Sequence, residues 1–111
     1  MAHKALVIQD SQNQSFDCNA FMSERNLVPE YCSTGVRALS SFKTKRYRCV
    51  VVSMDIQNED PLAIIRELRS AEIALGLSTT QILVVYKKRQ PTQPEITKFN
   101  IGGQIRLHRM L

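Results

Sequence analysis

The sequence predicts an α/β fold in which a parallel sheet carries helices on both faces, and three observations lead there. Five short apolar runs read as strands, four stretches between them read as helices, and the two kinds alternate along the 111 residues. The strand runs are apolar at consecutive positions, as strands buried on both faces are. The longest helical stretch is punctuated at both ends, by Asp60 and Pro61 at its start and Gly76 at its stop. Crossovers between parallel strands in such a fold are right-handed.

Each element has its own justification. KALVI (residues 4–8) is short, continuous and apolar, a buried strand. QDSQNQS follows as a polar loop, and Ser15 or Asp17 can cap a helix carrying Phe16, Ala20, Phe21 and Met22. RNLVPEYCSTG holds a short second strand ended by Gly35. Pro29 has no N–H to donate, so this strand belongs at a sheet edge. VRALSSF is a short helix with Val36, Leu39 and Phe42 on its apolar side. CVVVS (residues 49–53) is the most apolar run and so the central strand. After Asp60 as N-cap, Leu62, Ile65, Leu68 and Leu75 recur at helical spacing. QILVVY is a fourth buried strand, KKRQPTQP a loop with two prolines, EITKFNI a short helix before Gly102 and Gly103, and QIRLH a last, alternating strand.

Length and composition bound the function. A chain of 111 residues fits one domain, residues 1–111, with a core of its own. No apolar run approaches the ~20 residues that cross a bilayer. MAHKALVIQD is too short in apolar length for a secretory signal, so a cytoplasmic protein is expected. Cys18, Cys32 and Cys49 are scattered, without a C-x-x-C pair, and read as reduced thiols, with Cys32 and Cys49 buried. His3 and His108 lie near opposite ends, so no metal site and no cofactor is expected. No Gly-rich phosphate loop follows the first strand, which argues against a nucleotide-dependent enzyme. The net charge of +5 gathers at Lys43, Lys45, Arg46 and Arg48, at Lys87, Lys88 and Arg89, and at Arg106, His108 and Arg109. Lys87, Lys88 and Arg89 with the region of Arg46 could form a basic interaction surface. Apart from Tyr47, between Arg46 and Arg48, no aromatic residue interleaves with these clusters to stack on bases, so nucleic acid is not the expected partner.

The chemistry-bearing stretch is RCVVVSMDIQNEDP, Arg48 to Pro61. An apolar strand runs into Ser53 and Asp55, and then into an acidic turn. A strand entering at Arg48 spans about five to six residues, so its carboxyl end falls at Ser53 and Asp55 lies in the loop.

Two segments carry a family likeness. CSTGVRAL (residues 32–39) is similar to the small–x–Asn/Asp–Gly–x–x–Ala–Leu pattern of receiver domains of two-component response regulators. YRCVVVSMDIQNEDPLAIIRELR (residues 47–69) aligns without a gap to that family's third strand, loop and third helix. The resemblance spans nearly the whole chain. It implies a flavodoxin-like three-layer sandwich with a five-stranded parallel sheet in the order 2-1-3-4-5. Receivers close with a fifth helix. The residues up to Leu111 leave no length for one of about ten residues, so the final helix is expected to be missing. One sheet flank, near QILVVY and QIRLH, would then lie uncovered, and the chain would self-associate there as a homodimer or take a partner's helix.

The resemblance also places the site, which departs from the family's pattern. The phosphoacceptor aspartate falls on Ser53, and Asp55 is an alternative acceptor two residues on. The Mg²⁺-holding acidic pair falls on Gln9 and Asp10, the switch Thr or Ser on Tyr86, and the conserved-type Lys on Arg109, with His108 as the neighbouring register. Phosphotransfer to a carboxylate needs a nucleophilic oxygen, a metal and a cation on the acyl phosphate. One negative charge at Asp10 is a poor magnesium site, and no base adjoins Ser53. Arg109 would offer a planar fork in place of a point charge. Each position also has a purely structural reading: Ser53 as a cap, Asp10 as a turn or helix-end anchor, Tyr86 as an aromatic lid. The expectation is a degenerate receiver, no enzyme, that signals through a signalling protein or sensor kinase module without phosphorylation at the usual place. The alternatives are a phosphoacceptor using Asp55 or Ser53, and a basic nucleic-acid-binding module.

Overall fold

The computed structural model describes residues 3–10 and 19–106. Nine elements alternate: β1 (His3–Ile8), α1 (Asn19–Glu24), β2 (Leu27–Cys32), α2 (Gly35–Thr44), β3 (Cys49–Ser53), α3 (Pro61–Leu75), β4 (Gln81–Tyr86), α4 (Gln93–Lys98) and β5 (Ile101–Arg106). All neighbouring strands pair in parallel, in the order β2-β1-β3-β4-β5, so the expected 2-1-3-4-5 sheet forms with the CVVVS strand at its centre. Pro29 lies on an edge strand, where its missing N–H costs no ladder bond.

Strand alternation sorts the apolar residues onto two faces. Leu6, Ile8, Val50, Val52, Ile82 and Val84 point to one face and are fully buried beneath α2 and α3, with Ile96 and Phe99 of the α4 segment packed against them. Ala5, Val7, Cys49, Val51 and Val85 point to the other, where Met22 of α1 covers them and Phe21, Leu83 and Ile105 are only partly buried. Among the described residues, α1 is the only helix on that second face.

The sequence punctuation of α3 holds. Asp60 accepts the Leu62 N–H at 3.0 Å, Pro61 opens the helix, and Gly76 takes the left-handed conformation that ends it. Ile65 and Leu68 are fully buried, each contributing about 1.5–3 kcal/mol by leaving water.

Several expectations are corrected. Val36 is 80% exposed and does not share the buried side of α2. The buried side chains are Ala38 and Phe42, and three-residue steps drift around a 3.6-residue helix, leaving Val36 about 120° from Phe42. Leu75 is exposed as well. The last inward position of α3 belongs to Glu72, which is buried against Arg69 at 2.8 Å and accepts the Thr80 N–H. Arg69 in turn donates to the carbonyls of Thr80, Phe99 and Asn100, tying α3 to the corner before β5. Cys32 is only half-buried, while Cys49 is buried as expected, and both are free thiols.

Gly35 is the first residue of α2, after N-cap Thr34, and does not end the preceding strand. The fourth helix begins at Gln93, two residues before the expected start, because Thr92 and Glu95 form a reciprocal capping box. Pro94 fits that first turn, where an N–H has no helical partner anyway. The last strand begins at Ile101, and Gly102 and Gly103 belong to it. Asn100, with φ of 53°, makes the turn between α4 and β5. Ser15, Phe16, Asp17, Cys18, His108 and Arg109 lie outside the described residues, as does everything beyond Arg106, including the place where a closing helix was expected to be missing.

Candidate functional site at the carboxyl end of the sheet

The carboxyl ends of β1, β3 and β4 deliver the predicted site residues to one end of the sheet. Ser53 is the last residue of β3 and pairs in register with Val85. The Met54 N–H then donates to the Val85 carbonyl at 2.8 Å, so the chain stays on the ladder for one more bond before it leaves. Ser53 is half-buried, and its Oγ accepts the Asp55 N–H at 3.3 Å. That bond is the local turn expected of a serine at a strand end.

Asp55 is employed more heavily. Its carboxylate reaches across to the connection after β4 and accepts three consecutive backbone N–H groups: Lys87 at 2.5 Å, Lys88 at 3.2 Å and Arg89 at 3.1 Å. Successive amides that point inward form a small anion-binding concavity. Here the chain fills it with its own carboxylate. Lys88 and Arg89 are exposed, and Arg89 approaches Asp60 at 3.7 Å.

Gln9 follows β1 and is buried, its backbone N–H donating to the Cys32 carbonyl at 3.0 Å. Beside it, the Asp10 carboxylate accepts the Gln57 N–H at 3.0 Å, which pins the loop after β3 to the loop after β1. Tyr86 ends β4 and is buried in the covered-face cluster with Ile82 and Val84. Arg109 and its alternative His108 cannot be placed against these residues, since both fall outside the described part.

The sequence reading missed how the acidic turn is used. Glu59 sends both carboxylate oxygens to the Gly35 N–H, at 2.9 and 3.1 Å, and so caps the start of α2 from another loop. Asp55, Glu59 and Asp60 each hold backbone N–H groups at the start of a helix or a loop. The signal was present as three acidic residues just ahead of a helix start; Asp60 caps that helix as expected, but the targets of Asp55 and Glu59 are distant in sequence.

Among the solved structures, the chain is similar to a CheY-like response regulator receiver domain from Methylobacillus flagellatus. The TM-score is 0.75 at 19% identity, over 96% of this chain and 86% of that one. The fold is that of a response-regulator receiver domain. The chemotaxis protein CheY4 of Vibrio cholerae gives 0.73 at 14% identity, over 95% and 86% of the two chains. A mutant receiver domain of a histidine kinase from Arabidopsis thaliana gives 0.73 at 16%, over 94% and 80%. A scan of protein-family models and a search of curated proteins find no match to the sequence.

Receiver chemistry calls for a magnesium ion between paired carboxylates, and the residues here do not fit one. Gln9 is neutral and buried, Ser53 is neutral, and Asp10 already holds the Gln57 amide. Among the described residues no group of three or more His, Cys, Asp or Glu side chains gathers as a metal site.

Proposed function

We propose that this receiver-fold chain is a non-enzymatic signalling module that works through protein–protein contacts and takes no phosphoryl group at the acceptor position. The supporting observation is the division of labour between Ser53 and Asp55. The strand end that would carry the acceptor has a hydroxyl, and the nearest carboxylate is already committed to three amides of the β4–α4 connection. A carboxylate that accepts three N–H bonds is held in place by them, so the loops are tethered without any phosphoryl group. The proposed setting is the cytoplasm, where free thiols such as Cys32 and Cys49 persist. The proposed partners are a signalling protein or sensor kinase module, and a second copy of the chain on the thinly covered face of β4 and β5.

Incubation with acetyl phosphate and Mg²⁺, followed by intact-mass measurement, tests the central claim. No added phosphate is expected. Phosphate that appears on the wild-type chain and vanishes in Asp55→Asn or Ser53→Ala would overturn it in favour of an active acceptor at that residue.

A further inference from the structure

An apolar groove of about 430 Å³ runs along the outer surface between α2 and α3. Val36 and Leu39 line it from α2, Ala63 and Ile64 from α3, and Glu59, Asp60 and Glu67 form its rim. Val36 is the most telling residue. A β-branched apolar side chain is a poor helix former, and at 80% exposure it gains almost nothing from burial. Its neighbours in the groove are apolar too, so the exposed surface is continuous.

The groove is preformed. Gly35 lets the start of α2 approach α3 closely, since a Cβ there would lie 2.7 Å from Glu59 Oε1 and 2.9 Å from Ile64 Cγ1. The Glu59 carboxylate then fastens the junction by its two bonds to the Gly35 N–H. The charge is also unlike the rest of the chain. The protein carries +5 overall, yet the groove's lining holds three carboxylates and no cation. Arg89 reaches Asp60 from outside the groove, at 3.7 Å. An acidic partner would face repulsion here, and a basic one attraction that also sets its orientation.

We propose that the α2–α3 groove docks an amphipathic, basic segment of a partner protein. Its apolar side chains would lie on Val36, Leu39 and Ala63, and its Lys or Arg residues would meet Glu59, Asp60 and Glu67. A helix laid in a groove presents anchors three and four residues apart, which suits a trough between two packed helices. Because Glu59 and Asp60 belong to the loop that follows Ser53, an occupant would sit at the same end of the sheet as the candidate site. The docking does not depend on whether Ser53 or Asp55 accepts phosphate.

The test is a titration of the ¹⁵N-labelled chain, followed by amide shifts. The probe is a synthetic peptide about 15 residues long with leucines at helical spacing and lysines flanking them. Its counterpart carries glutamates in place of the lysines. Saturable shifts are expected at residues 35–39 and 59–67 with the lysine peptide only, and the affinity is expected to fall with added salt. Val36→Asp and Glu67→Lys change exposed residues, so both variants should keep the wild-type melting temperature. Each is expected to lower the affinity about tenfold, the effect of removing a docking anchor. The proposal is overturned by any of four results: no saturable shift up to about 1 mM peptide; equal binding of the glutamate peptide; shifts centred on Phe21, Leu83 and Ile105; or unchanged affinity in both variants.

Discussion

The two faces of the sheet are made of similar strand residues and end in different states. On the covered face, Leu6, Ile8, Val50, Val52, Ile82 and Val84 are sealed by α2 and α3 with help from the α4 segment. On the other, the six residues of α1 close over Ala5, Val7 and Val51, while Leu83 and Ile105 remain partly exposed. Phe21, Leu27, Leu83, Gly103 and Ile105 there shape a groove of about 420 Å³, bordered by Arg25 and Arg48. Gly103 deepens it, because a Cβ at that position would press on Leu83 Cδ2 at 3.0 Å. The run ILVV in β4 is written for burial on both sides. Among the described residues one side is sealed by α2 and α3, while the other receives only the short α1, and Leu83 stays partly exposed there. The difference teaches that strand sequence records how many faces are apolar, whereas the cover depends on elements elsewhere in the chain.

The largest expected effect tests that contrast directly. Leu68→Ala removes a fully buried side chain at the centre of the covered face and should cost about 3 kcal/mol or more. Leu83→Ala on the thinly covered side should cost about 1 kcal/mol, since the side chain is already partly hydrated. Urea unfolding of both variants and the wild type measures the gap. Equal losses would mean that the second face is as well packed as the first, and the contrast would fail.

A smaller effect is expected at the Asp55 tether, which connects the loop after β3 to the segment that carries α4 onto the covered face. Asp55→Ala leaves three amides without their carboxylate, but they sit near solvent and water can replace part of the loss. The expected cost is about 1–2 kcal/mol, similar to the removal of a helix cap. Hydrogen exchange should speed up at Lys87, Lys88 and Arg89 and stay unchanged at Val50–Val52. A uniform change across the sheet would show that Asp55 supports global stability and is no local tether.

The order and kind of the elements were legible in the sequence because strand and helix signals are local. The consecutive apolar runs, the Asp60–Pro61 start and Gly76 each act within a few residues. Pro29 even placed β2 at an edge. What was misread has equally local causes. Val36 was put on a buried face by counting apolar residues in threes, a count that drifts around the helix, whereas Leu75, seven residues after Leu68, keeps that face but is exposed as the last residue of α3. Gly102 and Gly103 were left outside the last strand, although extended backbone accepts glycine and Asn100 had already made the turn. Of the site, the placement of Ser53 at the strand end was readable from strand length. The targets of Asp55, Asp10 and Glu59 were not, because each bonds an amide at least 24 residues away, and nothing in spacing announces such a partner.

The smallest expected effect concerns the one tyrosine whose ring joins the covered face while its hydroxyl reaches the sheet edge. Tyr47 is buried, and its OH donates to Glu30 Oε1 at 2.8 Å. Burial first, and then the bond to the Glu30 carboxylate, push the phenol up to about 12 from its usual 10. Glu30 moves the opposite way. The Lys45 ammonium at 2.8 Å, and next the Tyr47 hydroxyl, hold its carboxyl below the ordinary value of 4.5. A phenol raised in the folded state contributes stability that is fully present below pH 10 and is lost as pH rises toward 12. The depressed Glu30 contributes stability above pH 4.5 that is lost on acidification. Tyr47→Phe keeps the packed ring and removes only the hydroxyl, so it should cost about 1 kcal/mol at pH 8. That deficit should shrink steadily between pH 10 and 12, as the wild type loses what the variant never had. Melting temperatures of the pair across that range decide the matter: a gap that stays constant with pH would mean that the phenol titrates alike in the folded and unfolded chain.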